Sequence, residues 1–146
     1  MKTVYDYVKE FQKKYVLTIS WFRAKAHSKI VQKYLDEDEK VLYAFIAQKN
    51  SGGAYIFQTA VFCLTNKRII IGQKRLVWGA FMSTITPDLY NDMQIYQGLI
   101  WGKVTIDTVK EVICFSKIDK KALDEIETKV SSFMMDEKKK YKGREE

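Results

Sequence analysis

The chain has 146 residues, of which 47% are hydrophobic, 14% aromatic and 29% charged, with one proline and seven glycines. A chain of about 150 residues buries enough surface for one domain with its own core, so we expect neither a disordered chain nor a second independent domain. No apolar run approaches the ~20 residues of a membrane-spanning helix and no signal-peptide pattern begins the chain, which predicts a cytoplasmic protein.

Positive charge is concentrated in the N-terminal part of the chain. The formal net charge is +7, and residues 1–34 hold eight Lys or Arg against two Asp or Glu. Residues 35–118 hold nine against eight, and residues 119–146 hold eight against eight. The basic excess therefore belongs to the N-terminal segment, and the rest of the chain is nearly neutral.

Residues 1–35 are predicted to form a basic helical arm. One apolar stripe runs along a helix over residues 2–15, and a second stripe has apolar residues spaced by four; the two are Val4, Val8, Phe11 and Tyr15, then Phe22, Ala26, Ile30 and Tyr34. The stripes can pack on the domain or on another subunit, or they can lie in a membrane interface with lysines near anionic headgroups. The candidate membrane or partner residues on this arm are Lys9, Lys13, Lys14, Trp21, Phe22, Arg23 and Lys25.

Short apolar runs separated by turn residues follow the acidic segment 36–39 and continue to about residue 117. This pattern is typical of consecutive strands, which we place at 41–48, 55–65, 68–73, 80–86, 93–97, 103–107 and 111–115. The most regular pair is a hairpin, in which Thr65-Asn66-Lys67 turns the chain between an aromatic, β-branched run and three isoleucines.

A final helix is predicted after Asp119, which is a good N-cap residue. Its apolar stripe predicts a packed core helix and comprises Ala122 or Leu123, Ile126, Val130, Phe133 and Met134. The chain becomes highly charged after Met135, so residues 136–146 are predicted to be a frayed and disordered tail.

Three groups of residues resemble the bacterial pleckstrin-homology-like family, specifically its short soluble YokE-like branch. They are Leu64-Thr65-Asn66-Lys67-Arg68-Ile69-Ile70, the spacing of Tyr90, Met93 and Ile95, and Gly98-Leu99 followed by Gly102-Lys103-Val104-Thr105-Ile106. The resemblance covers roughly residues 36–134 and implies a mostly β, α+β fold. In this fold a bent antiparallel sheet of about seven strands forms a partly open barrel capped by the C-terminal helix. The family implies no enzyme activity, and lipid or protein binding is inferred mainly from the fold.

Patterns typical of catalysis are not found in the sequence. The single histidine, His27, has no cysteine or carboxylate at a metal-ligand spacing, so we interpret it as a satisfied or solvated side chain. Cys63 and Cys114 lie in separate strand-like runs and are predicted to be buried reduced thiols; a disulfide would require that the two strands lie side by side. The glycine pairs match no phosphate-binding loop, and we predict no metal, no cofactor and no enzyme activity.

Several observations bear on possible partners. The loop over residues 48–54 holds only Lys49, which argues against phosphoinositide recognition there, and the nearly neutral β-rich body argues against nucleic acid. Trp78, Phe81, Tyr96 and Trp101 are more large aromatics than a small barrel needs in its core, which favours self-association.

The sequence as a whole predicts a PH-like domain over residues 36–135 that acts as a non-enzymatic binding or assembly module for a protein partner or for a second copy. The alternative is a peripheral membrane protein that binds anionic lipid through its N-terminal helices. The candidate ligand surface is the rim beside the hairpin turn and comprises Lys67, Arg68, Lys74, Arg75, Trp78 and Trp101.

Overall fold

The computed structural model describes residues 2–18, 23–50, 59–74 and 79–145. Two helices come first, α1 (Val4–Lys14) and α2 (Ala24–Tyr34). Seven strands follow: β1 (Val41–Asn50), β2 (Thr59–Thr65), β3 (Ile69–Lys74), β4 (Ala80–Ile85), β5 (Tyr90–Gln97), β6 (Trp101–Thr108) and β7 (Val112–Asp119). Helix α3 (Leu123–Glu145) ends the chain, and short 3₁₀ turns at Pro87–Leu89 and Lys120–Ala122 precede β5 and α3.

All seven strands form one antiparallel sheet in the order β4-β3-β2-β1-β7-β6-β5. Strand β1 joins the two halves of the sheet, because its residues from Val41 to Gln48 pair with β2 and those from Gln48 to Asn50 pair with β7. The sheet curls into a half-barrel, so the predicted fold class is confirmed. Within the described residues, no helix is both long enough and apolar enough to cross a bilayer.

The interior of the half-barrel is filled by aromatic residues and by α3. The ring centroids of Phe45 and Phe62 stack 4.9 Å apart, and both rings meet the edge of Phe115. One face of α3 closes this core with the buried side chains Leu123, Ile126, Val130 and Met134, as the stripe predicts. Each large side chain buried in this way contributes about 1.5–3 kcal/mol, so α3 is an integral part of the fold.

Helix α1 packs on the sheet with the predicted face. Thr3 and Asp6 form a reciprocal capping box at its start, Val4 and Val8 are buried on the outer side of the sheet, and Phe11 reaches the interior core. Phe11 reaches it beside the first half of β1, because only the residues of β1 from Gln48 to Asn50 pair with β7. Its ring stacks on Phe45 with centroids 5.2 Å apart. The N-terminal arm is therefore folded onto its own domain.

Helix α2 buries a different face from the one that the sequence predicts. Its buried residues are Ala24, His27, Ser28 and Val31, whereas Ala26 and Ile30 are half-buried and Tyr34 is 48% exposed. The predicted stripe at Ala26, Ile30 and Tyr34 is therefore wrong; its remaining member, Phe22, lies outside the described residues. Small residues allow α2 to approach closely at Gly72 of β3, where an added β-carbon would overlap Val31 Cγ2. Close packing thus outweighs the hydrophobic stripe.

Helix α3 extends through the charged segment for which the sequence predicts disorder. It continues to Glu145, and Lys138 Nζ donates a hydrogen bond of 2.6 Å to the carbonyl oxygen of Tyr90. Lys and Glu are good helix formers, and Lys140 pairs with Glu137 one turn earlier at 2.9 Å. A charged composition in this case accompanies a solvated helix.

The two thiols are free in the structure. Cys63 is buried on β2 and Cys114 is half-buried on β7, and β1 separates these strands, which excludes the side-by-side arrangement that a disulfide requires. Burial raises the pKa of the Cys63 thiol to about 12, so it stays protonated and unreactive. The prediction of buried reduced thiols is confirmed for Cys63, whereas Cys114 is reduced but only half-buried.

Candidate functional site

The turn between β2 and β3 is held by a cluster of polar side chains. We call this cluster the latch and define it by Glu39, Thr65, Asn66, Lys67 and Arg68. The side chain of Glu39 has no exposed area, and Arg68 binds it twice, from Nη2 to Oε1 at 2.9 Å and from Nε to Oε2 at 3.0 Å. The Thr65 hydroxyl donates a further hydrogen bond to the same carboxylate. Burial by itself raises the pKa of Glu39, but the hydrogen bonds from Arg68 and Thr65 outweigh burial and hold the pKa below its usual value.

The residues of the latch explain the signature Leu64-Thr65-Asn66-Lys67-Arg68-Ile69-Ile70. The Thr65 hydroxyl accepts from the backbone N–H groups of Lys67 and Arg68, and Asn66 Oδ1 accepts from the N–H of Lys40. The signature therefore closes its own turn and joins it to the segment that precedes β1. Its role in this chain is structural.

Both cations of the latch are neutralised by the acidic segment 36–39. Lys67 Nζ lies 2.7 Å from Asp38 Oδ1 and 3.7 Å from Asp36 Oδ2, and Arg68 also lies over the Tyr34 ring. The structure thus places Lys67 and Arg68 at one end of the β2–β3 hairpin, where their charges are already matched.

A basic groove starts at the opposite end of the hairpin and follows α2, and we define it by Arg23, Lys25, Lys29, Lys33 and Lys74. The groove has a volume of about 520 Å³ and is also lined by Ala26 and Ile30. Its lysines on α2 are spaced by four residues and therefore project from one side of the helix. None of the described residues that line it is acidic, and within the described residues none of the five cations makes an ion pair.

Arg23 joins α2 to β3 at the end of the groove. It has a left-handed backbone conformation with φ of 60°, and its Nη1 donates to the carbonyl oxygen of Lys74 at 3.3 Å. A left-handed conformation costs a residue other than glycine about 1–2 kcal/mol. Arg23 is the N-cap position of α2 and gives the helix no side-chain cap, and the positive end of the helix dipole adds to the positive charge there.

His27 lies beneath the groove and holds α2 on the sheet. Its Nδ1 accepts from the Lys74 backbone N–H at 2.8 Å, which places the proton on Nε2, 3.2 Å from the Thr59 hydroxyl. Burial, together with the nearby charge of Arg23, lowers the pKa of His27 to about 4. His27 is therefore neutral at pH 7 and contributes no charge to the groove. Of the two interpretations that the sequence left open, the satisfied side chain applies.

The other candidate residues of the arm are distributed around α1. Lys14 pairs with Glu125 of α3 at 2.6 Å, and Lys9 lies 3.6 Å from Asp6 and 4.7 Å from the centroid of the Tyr5 ring. Lys13 is exposed. Trp21, Phe22, Arg75 and Trp78 lie outside the residues that the structure describes.

Trp101 lies away from the hairpin with which the sequence grouped it. Its indole Nε1 donates to the carbonyl oxygen of Leu17 at 2.7 Å, and Lys117 Nζ lies 4.8 Å from the centroid of its ring. The structure thus brings together Arg23, Lys25 and Lys74 from two separate sequence predictions, and it separates them from Lys67, Arg68 and Trp101.

Sequence reasoning missed Lys29 and Lys33 as members of the site. A signal was present, because both continue the spacing of Lys25 on a helix whose sequence contains no acidic residue.

In the part of the chain that the structure describes, no three His, Cys, Asp or Glu side chains converge on a common point that could hold a metal ion. The chemistry that this arrangement offers is the binding of an extended anion.

Comparison with known proteins places this chain in a family. A family model described as a bacterial PH domain matches residues 35–132. This chain is similar to a crystal structure of a pleckstrin homology domain from Shewanella amazonensis SB2B. The alignment covers 77% of this chain and 88% of that domain, with 13% sequence identity and a TM-score of 0.47. The search of curated proteins finds no match in sequence. Because the family model spans well over half of the chain, the protein belongs to the bacterial PH domain family.

Proposed function

We propose that the protein is a binding module that contacts an acidic segment of a partner protein through the basic groove. PH-like domains are in general non-catalytic binding modules, which supports the broad class of this function. The observation that carries the finer proposal is the convergence of five cations from α2, its preceding residue and β3, with no carboxylate among the described lining residues.

The contrast with lysines elsewhere supports the proposal. Ion pairs engage Lys2 with Glu10, Lys14 with Glu125 and Lys140 with Glu137. On α2, by contrast, Lys25 and Lys29 repel each other, as do Lys29 and Lys33, at a cost of about 0.2–0.5 kcal/mol for each pair. A partner with several carboxylates would relieve this repulsion and would also meet the positive charges of Arg23 and Lys74.

A second candidate function is contact of the same groove with an anionic membrane. The half-buried apolar side chains of Ala26 and Ile30 lie between the lysines, and such a mixture suits the boundary between headgroups and acyl chains. In this arrangement α2 contacts lipid with the side that carries its lysines. The apolar faces of the two N-terminal helices are not free to do so, because Val4 and Val8 of α1 and Val31 of α2 are already packed on the sheet.

The test uses full-length variants that differ only in where the charge is reversed. Lys25→Glu/Lys29→Glu/Lys33→Glu removes the groove, and Lys110→Glu/Lys121→Glu/Lys139→Glu makes the same change of net charge at exposed lysines elsewhere. Deletion of residues 1–34 is unsuitable, because it would expose the apolar side chains of β1, β2 and β3 that α1 and α2 cover.

Affinity for poly-glutamate is measured by fluorescence anisotropy, and affinity for phosphatidylglycerol vesicles by sedimentation. We expect the groove variant to bind poly-glutamate at least about tenfold more weakly, which corresponds to about 1.4 kcal/mol, and the control variant to bind as the wild type does. Equal losses in both variants would show that only net charge matters and would refute the proposal. If the groove variant loses binding to vesicles but not to poly-glutamate, the second function is correct.

A further inference from the structure

A second concave surface lies at the β5–β6 hairpin, away from the basic groove. We call it the Trp101 cleft and define it by Tyr96, Leu99, Ile100, Trp101, Lys103 and Lys117. Its volume is about 500 Å³, which lies within the ~300–1,000 Å³ range of ordinary ligand sites. Val4 and Val8 of α1 and Val31 of α2 pack elsewhere, on side chains of β1, β2 and β3.

The cleft presents large apolar side chains to solvent. Leu99 is 88% exposed, Tyr96 66% and Ile100 47%. The tight turn that carries Leu99 and Ile100 is fixed by a 2.9 Å hydrogen bond from the N–H of Gly98 to the carbonyl oxygen of Trp101, and Tyr96 lies beside it on β5. Exposed apolar side chains grouped on a fixed turn are typical of a contact surface, whereas single ones are ordinary.

Two cations complete the cleft. Lys103 and Lys117 are exposed, and no carboxylate is found among the described residues that line the cleft. Lys117 has a left-handed backbone conformation with φ of 57°, and its ammonium group lies over the Trp101 ring. This contact with the ring places one positive charge beside the apolar wall.

We propose that the Trp101 cleft binds a segment of a partner protein that combines large apolar side chains with carboxylates. Apolar side chains of the segment contact Leu99, Ile100 and Tyr96, and its carboxylates approach Lys103 and Lys117. A concave surface can contact such a segment on several sides, whereas a flat bilayer would meet only the rim. The Trp101 indole N–H is already donated to Leu17, so Trp101 contributes the face of its ring.

This site goes beyond the proposed function, because the two surfaces select different segments. The basic groove offers five cations and only half-buried apolar side chains, and the Trp101 cleft offers two cations beside strongly exposed apolar ones. A purely acidic segment therefore favours the groove, and an acidic segment rich in leucine or phenylalanine favours the cleft.

The test uses the full chain and a short fluorescein-labelled peptide in which glutamate alternates with leucine and phenylalanine. Affinity is measured by fluorescence anisotropy, and the indole N–H resonance of Trp101, assigned with Trp101→Phe, reports the site by NMR. We expect the peptide to shift this resonance. Glutamine in place of glutamate should weaken binding at least about tenfold, as should Leu99→Ser/Ile100→Ser.

Two control variants make the result specific. Val109→Ser/Val112→Ser removes two equally apolar side chains that are 66% and 64% exposed on another turn, and the charge-reversed groove variant tests independence from the groove. Both should bind the peptide as the wild type does, and thermal melts establish that all variants are folded. The proposal is overturned if no binding occurs, if the valine variant loses as much affinity as the leucine variant, or if binding follows the groove. It is also overturned if Leu99→Ser/Ile100→Ser abolishes phosphatidylglycerol vesicle binding but leaves peptide affinity unchanged.

Discussion

The two ends of the β2–β3 hairpin carry similar basic residues but use them differently. At the turn, Arg68 and Lys67 meet Glu39, Asp38 and Asp36 from the segment before β1. At the other end, Lys74 meets Arg23 and the lysines of α2, and the described residues there supply no counter-charge. Basic residues in a sequence therefore indicate a ligand surface only where the fold leaves them unmatched.

The largest expected effect comes from breaking the latch. Arg68→Met leaves the Glu39 carboxylate buried without its cation, so the free energy of unfolding should fall by about 3–5 kcal/mol in denaturant titrations. Lys67→Met is the matched control and should change stability little, because its charge lies in solvent. Adding Glu39→Gln to Arg68→Met should restore part of the loss. Similar small losses for Arg68→Met and Lys67→Met would contradict a structural latch.

The next effect tests how α2 is held at the groove end. The pKa of His27 is about 4 in the folded protein and near 6.5 when unfolded, so between these pH values only the unfolded chain gains a proton. The contribution of His27 to stability should be complete above pH 6.5 and should fall by up to roughly 3 kcal/mol as the pH drops to 4.

The measurement is the free energy of unfolding at several pH values between 4 and 7. His27→Asn is the reference, because an Asn oxygen can accept the Lys74 N–H but does not titrate. The wild type should lose stability more steeply than this variant as the pH falls. Parallel curves for the two proteins would show that His27 does not couple protonation to folding.

A smaller loss is expected when α2 is pushed away from β3. Gly72→Ala places a methyl group against Val31 Cγ2, and overpacking of this kind costs about 1–3 kcal/mol. Val31→Ala makes room for that methyl group, so the double variant should be more stable than the sum of the two single losses predicts. A double-mutant cycle in denaturant measures this coupling, and strict additivity would argue against the close approach.

The smallest expected effect is a gain in stability and not a loss. It distinguishes the two ends of the β2–β3 hairpin most directly. Lys29→Glu replaces repulsion by attraction to Lys25 and Lys33. The free energy of unfolding should therefore stay the same or rise by a few tenths of a kcal/mol, and the melting temperature should follow it. Lys67→Glu should lower it, because Asp36 and Asp38 surround that position. Differential scanning calorimetry compares the two variants. A clear loss in Lys29→Glu would mean that the groove cations stabilise the fold.

Much of the fold could be predicted because local patterns and burial agree. The α1 face with Val4, Val8 and Phe11, the hairpin around Asn66 and the apolar stripe of α3 all follow the spacing of large apolar residues. The α2 face could not be predicted in this way, because it buries Ala24, Ser28 and a hydrogen-bonded His27 and places Val31 against Gly72. Which face of α2 is buried therefore depends on Gly72 of β3, which is distant from α2 along the chain.

The candidate site was predicted only in part for the same reason. The sequence showed basic residues near 9–25, 67–68 and 74–75, but it could not show which of them have acidic neighbours. Glu39 and Arg68 are far apart along the chain and meet only when the hairpin turn packs on the segment before β1. The Trp101 cleft likewise depends on the position of Lys117 on a neighbouring strand.

The sequence by itself determined the order of the helices and strands and the basic character of the N-terminal part, because these follow from local propensity, apolar spacing and composition. The PH-like arrangement of the strands was expected from the resemblance of its motifs to the bacterial PH-like family. Only the tertiary structure decided which charges are matched and which are free. Packing joined Lys67 and Arg68 to three carboxylates and brought Lys74 to Arg23 and the lysines of α2. Electrostatic interactions act over a few ångströms of space, and distance along the chain does not determine those separations.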